Sequence, residues 1–153
     1  MTKALVIYGS TTGNTESVAH TIAKTIAGEK IVADIKDVST AEPSDFNNGY
    51  ELFVLGCSTW GDDEIELQED FAEFFENMDG LDLNGKKIAV FGCGDSSYTY
   101  FCGAVDVIEE KTGSLGANLV ASGLKIDGDP DDVEDEIVEW AQSVAAVVAP
   151  VTE

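Results

Sequence analysis

The chain has 153 residues and a mass of 16.2 kDa, which suits one domain over residues 1–153 with a single buried core, and apolar residues, 44% of the total, are spread along it as they are not in acidic disordered chains. A formal net charge of −22 repels nucleic acid, and no apolar stretch reaches the roughly 18 residues that a membrane span needs. No signal-peptide pattern precedes the first apolar run, which makes the cytoplasm the expected address, and Cys57, Cys93 and Cys102, odd in number and without a C-x-x-C pair, read as reduced thiols and not as a metal set.

Short apolar runs alternate with helical patterns. Ala4 to Tyr8 reads as a buried strand, and Val18, Ile22 and Ile26 at four-residue spacing predict a helix with Glu16 in its first turn, where the helix dipole favours an acid. Ile31, Ala33 and Ile35 alternate with polar residues as a half-covered second strand, a polar loop surrounds Glu42-Pro43-Ser44, and Leu52 to Leu55 form a third strand. Leu67, Phe71, Phe74, Phe75 and Met78 predict a second helix, Ile88 to Phe91 a fourth strand, and Ala104, Ile108 and Lys111 a weaker third helix. Leu119-Val120-Ala121 starts a fifth strand, bent at Ser122-Gly123 before Leu124 and Ile126, and Val133, Ile137, Trp140, Ala141, Val144 and Val148 give the last helix. Strands alternating with helices imply right-handed βαβ units, hence an α/β three-layer sandwich with a parallel sheet and helices on both faces. Ligands bind such sheets at the carboxyl ends of the strands. The loops Gly9–Thr15, Gly56–Glu64 and Gly92–Cys102 follow strands one, three and four and are expected to converge on one site.

The first loop suits a phosphate. Gly13 permits close backbone approach, Ser10, Thr11, Thr12, Asn14 and Thr15 supply side-chain donors, and the following helix adds unpaired N–H groups with positive partial charge. A phosphate dianion can be held by such neutral donors without Lys or Arg. The plainer reading is a helix cap on an ordinary turn. Neither the triphosphate loop pattern nor G-x-G-x-x-G is present, which leaves a single phosphate as the natural cargo. The second loop places Trp60 at a strand end, within Ser58-Thr59-Trp60-Gly61-Asp62, and the third, Cys93-Gly94-Asp95-Ser96-Ser97-Tyr98-Thr99-Tyr100-Phe101-Cys102, is rich in aromatics and backbone donors. A planar ring stacked between Trp60 and Tyr98 would suit both, although Trp60 could equally pack on a neighbouring loop.

With all three segments in register, the sequence resembles the flavodoxins over essentially its whole length, and in particular the short-chain type of sulfate-reducing bacteria. The resemblance implies a flavodoxin-like five-stranded sheet of order 2-1-3-4-5 with FMN at the switch point between strands one and three, a property that comes with the family. It further implies that residues 10 to 15 hold the FMN phosphate and that Trp60 and Tyr98 flank the isoalloxazine. Backbone groups of Asp95, Tyr100 and Cys102 would bond the pyrimidine edge, with Cys93, Gly94 and Phe101 in the same segment. Ser58 to Gly61, followed by Asp62, would lie along the ribityl chain and N5. In this family the peptide after the glycine of the second loop turns on reduction, a freedom that Gly61 supplies. The resemblance implies an acidic residue at position 99, where this sequence has Thr99.

No residue resembles a nucleophile or general base beside a pocket, so the flavin would do the chemistry and the protein would be an electron carrier, not an enzyme. The chain lacks Arg, and no Lys lies between Asp37 and Lys86, while Asp62, Asp63, Glu64, Glu66, Glu69, Asp70, Glu73, Glu76, Asp79 and Asp82 fall in that gap. A carboxylate about 10 Å from an added electron costs roughly 0.4 kcal/mol in water-like dielectric and about four times that at an effective value near 20. Since about 1.4 kcal/mol is roughly 59 mV for one electron, a handful of carboxylates lowers the potential by on the order of 100 mV. These features predict a low-potential one-electron carrier shuttling between semiquinone and hydroquinone. Its partners would be redox proteins with basic surfaces, such as cytochromes, ferredoxin-type reductases and oxidoreductases, met as a monomer; the same acids could serve solubility alone. An FMN-dependent quinone or azo-type reductase of the same fold is the main alternative. A response-regulator receiver fits poorly, because strand one ends in Tyr8-Gly9-Ser10 and strand three in Cys57-Ser58-Thr59, without the acids that such a site needs.

Overall fold

Strands that are apolar at successive positions must be covered on both faces, and in the computed structural model of the chain they are. It describes residues 3–9, 14–28, 31–47, 49–60, 66–67, 69–78, 82–84, 86–94, 103–121, 123–127 and 130–148. The strands are β1 (Lys3–Gly9), β2 (Val32–Asp37), β3 (Leu52–Trp60), β4 (Glu66–Leu67), β5 (Lys87–Gly94), β6 (Asn118–Leu119) and β7 (Leu124–Asp127), and the helices α1 (Asn14–Ala27), α2 (Glu69–Asn77), α3 (Gly103–Ser114) and α4 (Glu134–Val148). Strand order is β2-β1-β3-β5-β6, with β7 also on β5, and every pairing along that path is parallel. This is the expected 2-1-3-4-5 order, with β6 and β7 together as the fifth strand.

Alternate strand residues divide the core into two halves. Ala4, Val6 and Tyr8 of β1, Leu52 and Val54 of β3, and Ala89, Phe91 and Cys93 of β5 face α1 and α4, whose Val18, Ile22, Ile26, Ile137, Ala141 and Val144 cover them. Leu5, Ile7, Phe53, Leu55, Cys57, Ile88 and Val90 face α2 and α3, where Phe71, Phe74, Val105 and Ile108 meet them. Along β2, the sheet edge, only partial burial is reached at Ala33 and Ile35, in keeping with the half-covered pattern of its sequence.

Several boundaries differ from expectation, each for a local reason. Gly56 to Trp60 continue β3, because Gly56, Cys57 and Ser58 stay in the parallel ladder with Phe91, Gly92 and Cys93, and Thr59 and Trp60 then pair antiparallel with β4. Gly92 to Gly94 likewise belong to β5, paired with β7. Leu67 is therefore a strand residue and α2 begins at Glu69. The polar stretch after β2 contains short 3-10 helices at Val38–Thr40 and Pro43–Asn47, the latter tied to β2 by Lys36 Nζ, 3.0 Å from Oδ1 of the buried Asp45. The bent fifth strand is two separate pieces. Asn118 and Leu119 pair with Lys87 and Ile88, pairing resumes only at Phe91↔Leu124, and the Glu109 carboxylate of α3 accepts the Gly123 N–H beside the break. Burial, and next the Asp106 carboxylate, raise the pKa of Glu109.

At Gly56 the absence of a side chain is required. Phe91 from the neighbouring strand lies across it, so that a Cβ there would sit 2.0 Å from Phe91 Cζ, while the Trp140 ring of α4 meets Phe91 edge-on at 6.4 Å. Gly56→Ala is expected to destabilise the fold by about 1–3 kcal/mol, the usual scale for overpacking, measured by urea unfolding; a loss below about 0.5 kcal/mol, the level of an ordinary surface change, would show that Phe91 moves aside freely.

Candidate functional site

The strand order turns back between β1 and β3: the chain leaves β1 for β2 on one side and returns to β3 on the other. Register fixes what meets there. Gly9 lies opposite Cys57, and Ser58 opposite Cys93, so the carboxyl ends of β1, β3 and β5 stand side by side. Helices α1 and α3 start at this same edge, five and nine residues after the ends of β1 and β5. The three sequence-predicted segments are thus brought to one edge as far as described: Asn14 and Thr15 open α1, Ser58, Thr59 and Trp60 end β3, and Cys93 and Gly94 end β5. Ser10, Thr11, Thr12, Gly13, Gly61, Asp62, Asp95, Tyr98, Tyr100, Phe101 and Cys102 lie outside the described residues.

Thr15 is the most informative member of this group. Its side chain is only 1% exposed, and Oγ1 is buried without a hydrogen-bond partner, a condition that costs about 1–3 kcal/mol when nothing compensates. It sits in the first turn of α1, where backbone N–H groups are free to bind an anion. The Cys93 thiol lies nearby: burial pushes its pKa up to about 11, and the Thr15 hydroxyl draws it down, although the two groups do not reach a hydrogen bond of good geometry. An unpaired buried donor at a helix start fits a phosphate oxygen, and therefore fits FMN at its phosphate end.

Tyr8, the last large side chain of β1, is 7% exposed and donates its hydroxyl to Glu16 Oε2 at 2.9 Å, with its ring 6.2 Å from His20. Burial first, then the Glu16 bond and the charges of Glu16 and Asp37, push its pKa up to about 12. Nothing in the sequence pattern marks this pair; Glu16 is legible only as a favourable charge at a helix start. On the opposite side of the fold Tyr50 donates to Asp34 Oδ2 at 2.7 Å, and that bond, ahead of burial, likewise raises its pKa to about 12.

Charge is sorted along the strand direction. Lys3 begins β1, Lys87 begins β5, Lys86 precedes it, and Lys24 and Lys111 lie in the last turns of α1 and α3, all at the amino edge of the sheet. Lys36 and Lys125, nearer the carboxyl edge, are bonded to Asp45 and Asp106, each at 3.0 Å. Among the described residues no group of three or more His, Cys, Asp or Glu could hold a metal ion, and no helix is long and apolar enough to cross a membrane.

A parallel three-layer sandwich whose strand order turns back between β1 and β3 defines the class. Comparison with known proteins makes it specific. A family profile described as Flavodoxin matches residues 6–140. A flavodoxin of Maridesulfovibrio salexigens is 51% identical over 145 residues, covering 95% of this chain and 98% of that protein, and one of Nitratidesulfovibrio vulgaris is 49% identical over 148 residues, covering 97% and 100%. Among solved structures, oxidised flavodoxin 1 of Bacillus cereus superposes with a TM-score of 0.87 at 35% identity over 95% of this chain and 98% of that one. The flavodoxin of Streptococcus pneumoniae TIGR4 does so with 0.86 at 30% identity over 95% and 99%. The chain belongs to the flavodoxin family, as the resemblance to the short-chain type implied. It is an FMN-binding electron carrier and not an enzyme, and the quinone or azo-type reductase is not favoured.

The raised tyrosines give a stability test. Their folded-state pKa values of about 12 exceed the ordinary 10.0, so their contribution is complete below pH 10 and is lost as pH rises through 12. Tyrosinate absorbance of the folded protein should show two tyrosines titrating in that window, with urea stability falling across it; both ionising near pH 10 would overturn the assigned hydrogen bonds.

Proposed function

We propose that this chain is a low-potential one-electron carrier, formed by one domain over residues 1–153, that works as a cytoplasmic monomer between redox proteins with basic surfaces. The observation that carries this is the buried, unpartnered Thr15 hydroxyl at the start of α1. FMN, when bound, supplies the one-electron chemistry. Ser10, Thr11, Thr12, Gly13, Asn14 and Thr15 would take its phosphate. Trp60 and Tyr98 would flank the ring, Ser58, Thr59, Gly61 and Asp62 would line one side of it, and Cys93, Gly94, Asp95, Tyr100, Phe101 and Cys102 the other. Cys57 and Cys93 are buried thiols, which suits a reducing compartment.

The low potential follows from the sorting of charge. With Lys36 and Lys125 engaged by acids and the other described lysines on or near the amino edge, added negative charge at the carboxyl edge meets little compensation. The same imbalance attracts cationic surfaces toward that edge, which supports basic partners such as cytochromes, ferredoxin-type reductases and oxidoreductases.

Two measurements test this reading. Thr15→Val removes an unpaired buried hydroxyl at nearly constant volume, so the apoprotein should gain on the order of 1 kcal/mol while FMN affinity drops about tenfold or more; affinity equal to the parent's would remove Thr15 from the phosphate site. A redox titration of the FMN-loaded protein should give a low couple on the order of 100 mV below that of free FMN, rising with added salt as exposed acids are screened. A potential equal to that of the free cofactor would refute the electrostatic account.

A further inference from the structure

The hydrogen bond from Tyr8 to Glu16 joins residues on either side of the segment that the proposed phosphate site needs. Tyr8 immediately precedes Gly9, the last residue of β1, and Glu16 lies in the first turn of α1, which begins at Asn14. The 2.9 Å bond therefore joins the two shoulders of residues 9 to 15 from outside that segment. One shoulder is rigid: Tyr8 is buried among Val6, Val18 and Ile22 and held in the ladder between Asp37 and Gly56. The other is the exposed Glu16, adjacent to Thr15. We propose that Tyr8 and Glu16 are positioning residues that hold the start of α1 at the distance from β1 at which Thr15 Oγ1 and the first-turn N–H groups can meet a phosphate. The inference rests on the FMN reading above, whose phosphate it addresses.

The pair carries an apparent contradiction that its geometry resolves. A carboxylate in the first turn of α1 favours the helix dipole but repels the phosphate bound by the same N–H groups. Its presence beside an anion site has a purpose if it is a hydrogen-bond acceptor of fixed position: a phenol hydroxyl bonds more strongly to a charged acceptor than to a neutral one.

Two neutral replacements separate position from charge. Glu16→Gln keeps an acceptor oxygen for Tyr8; Glu16→Ala removes it, and both delete the same charge at an exposed helical residue where neither threatens folding. Binding of FMN and of riboflavin, which lacks the phosphate, is measured for each by quenching of flavin fluorescence on titration with apoprotein. The expected result is FMN affinity about tenfold lower for Ala than for Gln, with riboflavin affinity matching within about twofold, since a fixed hydrogen bond of this type is worth about one decade. Tyr8→Phe should reproduce the Ala pattern. Equal FMN affinities for Gln and Ala overturn the proposal, and so does a loss shared equally by FMN and riboflavin, which marks a general weakening of the fold. A parent protein that binds riboflavin as tightly as FMN, or neither, overturns instead the phosphate reading on which the proposal stands.

Discussion

The rest of this molecule depends on one constraint, the common direction of three hydrogen-bonded strands. Because β1, β3 and β5 run parallel in continuous register, their carboxyl ends cannot be scattered, and each chain segment that leaves them starts at the same edge. Parallel strands also need crossovers, which put helices on both faces and bury the sheet twice. The close approach of Phe91 to Gly56 is one local consequence: within a doubly covered sheet an aromatic ring can lie across a neighbouring strand only where that strand has no side chain.

Strand direction organises the electrostatics as well. Helices that return antiparallel to the sheet bring their starts, with free N–H groups, to the edge where the strands finish, and their ends, with Lys24 and Lys111, to the other. Free N–H groups at one edge and the placement of Lys3, Lys24, Lys86, Lys87 and Lys111 at the other thus have a shared origin in topology. The unpaired Thr15 hydroxyl belongs to the same pattern. A polar group buried at an energetic disadvantage in the protein alone is consistent with a site whose complement is a ligand.

The fold is largely legible in the sequence because its signals are periodic. Runs such as Ala4 to Tyr8 and Leu52 to Leu55, and spacings such as Val18, Ile22 and Ile26, report burial directly, and their alternation implies the layers. What periodicity misses is pairing. Nothing in Ser58-Thr59-Trp60 says that β3 continues past its apolar run, since the reason is the partner strand β4, and Leu67 fits a helical stripe equally well until that pairing claims it. The site divides in the same way. Thr15 could be named from its loop, and the chain's kinship from three motifs, but the burial of one hydroxyl depends on helix packing, and the Tyr8–Glu16 bond crosses eight positions without any repeat to betray it.

The placement of Lys3, Lys24, Lys86, Lys87 and Lys111 toward the amino edge of the sheet has a mechanical meaning. A body whose charge is spread unevenly along one axis experiences a torque in the field of a charged neighbour. A cationic body nearby would therefore tend to turn such a molecule before contact, with the edge poorer in lysines leading. Such a turn would shorten, before contact begins, the search over orientations that limits most encounters between proteins.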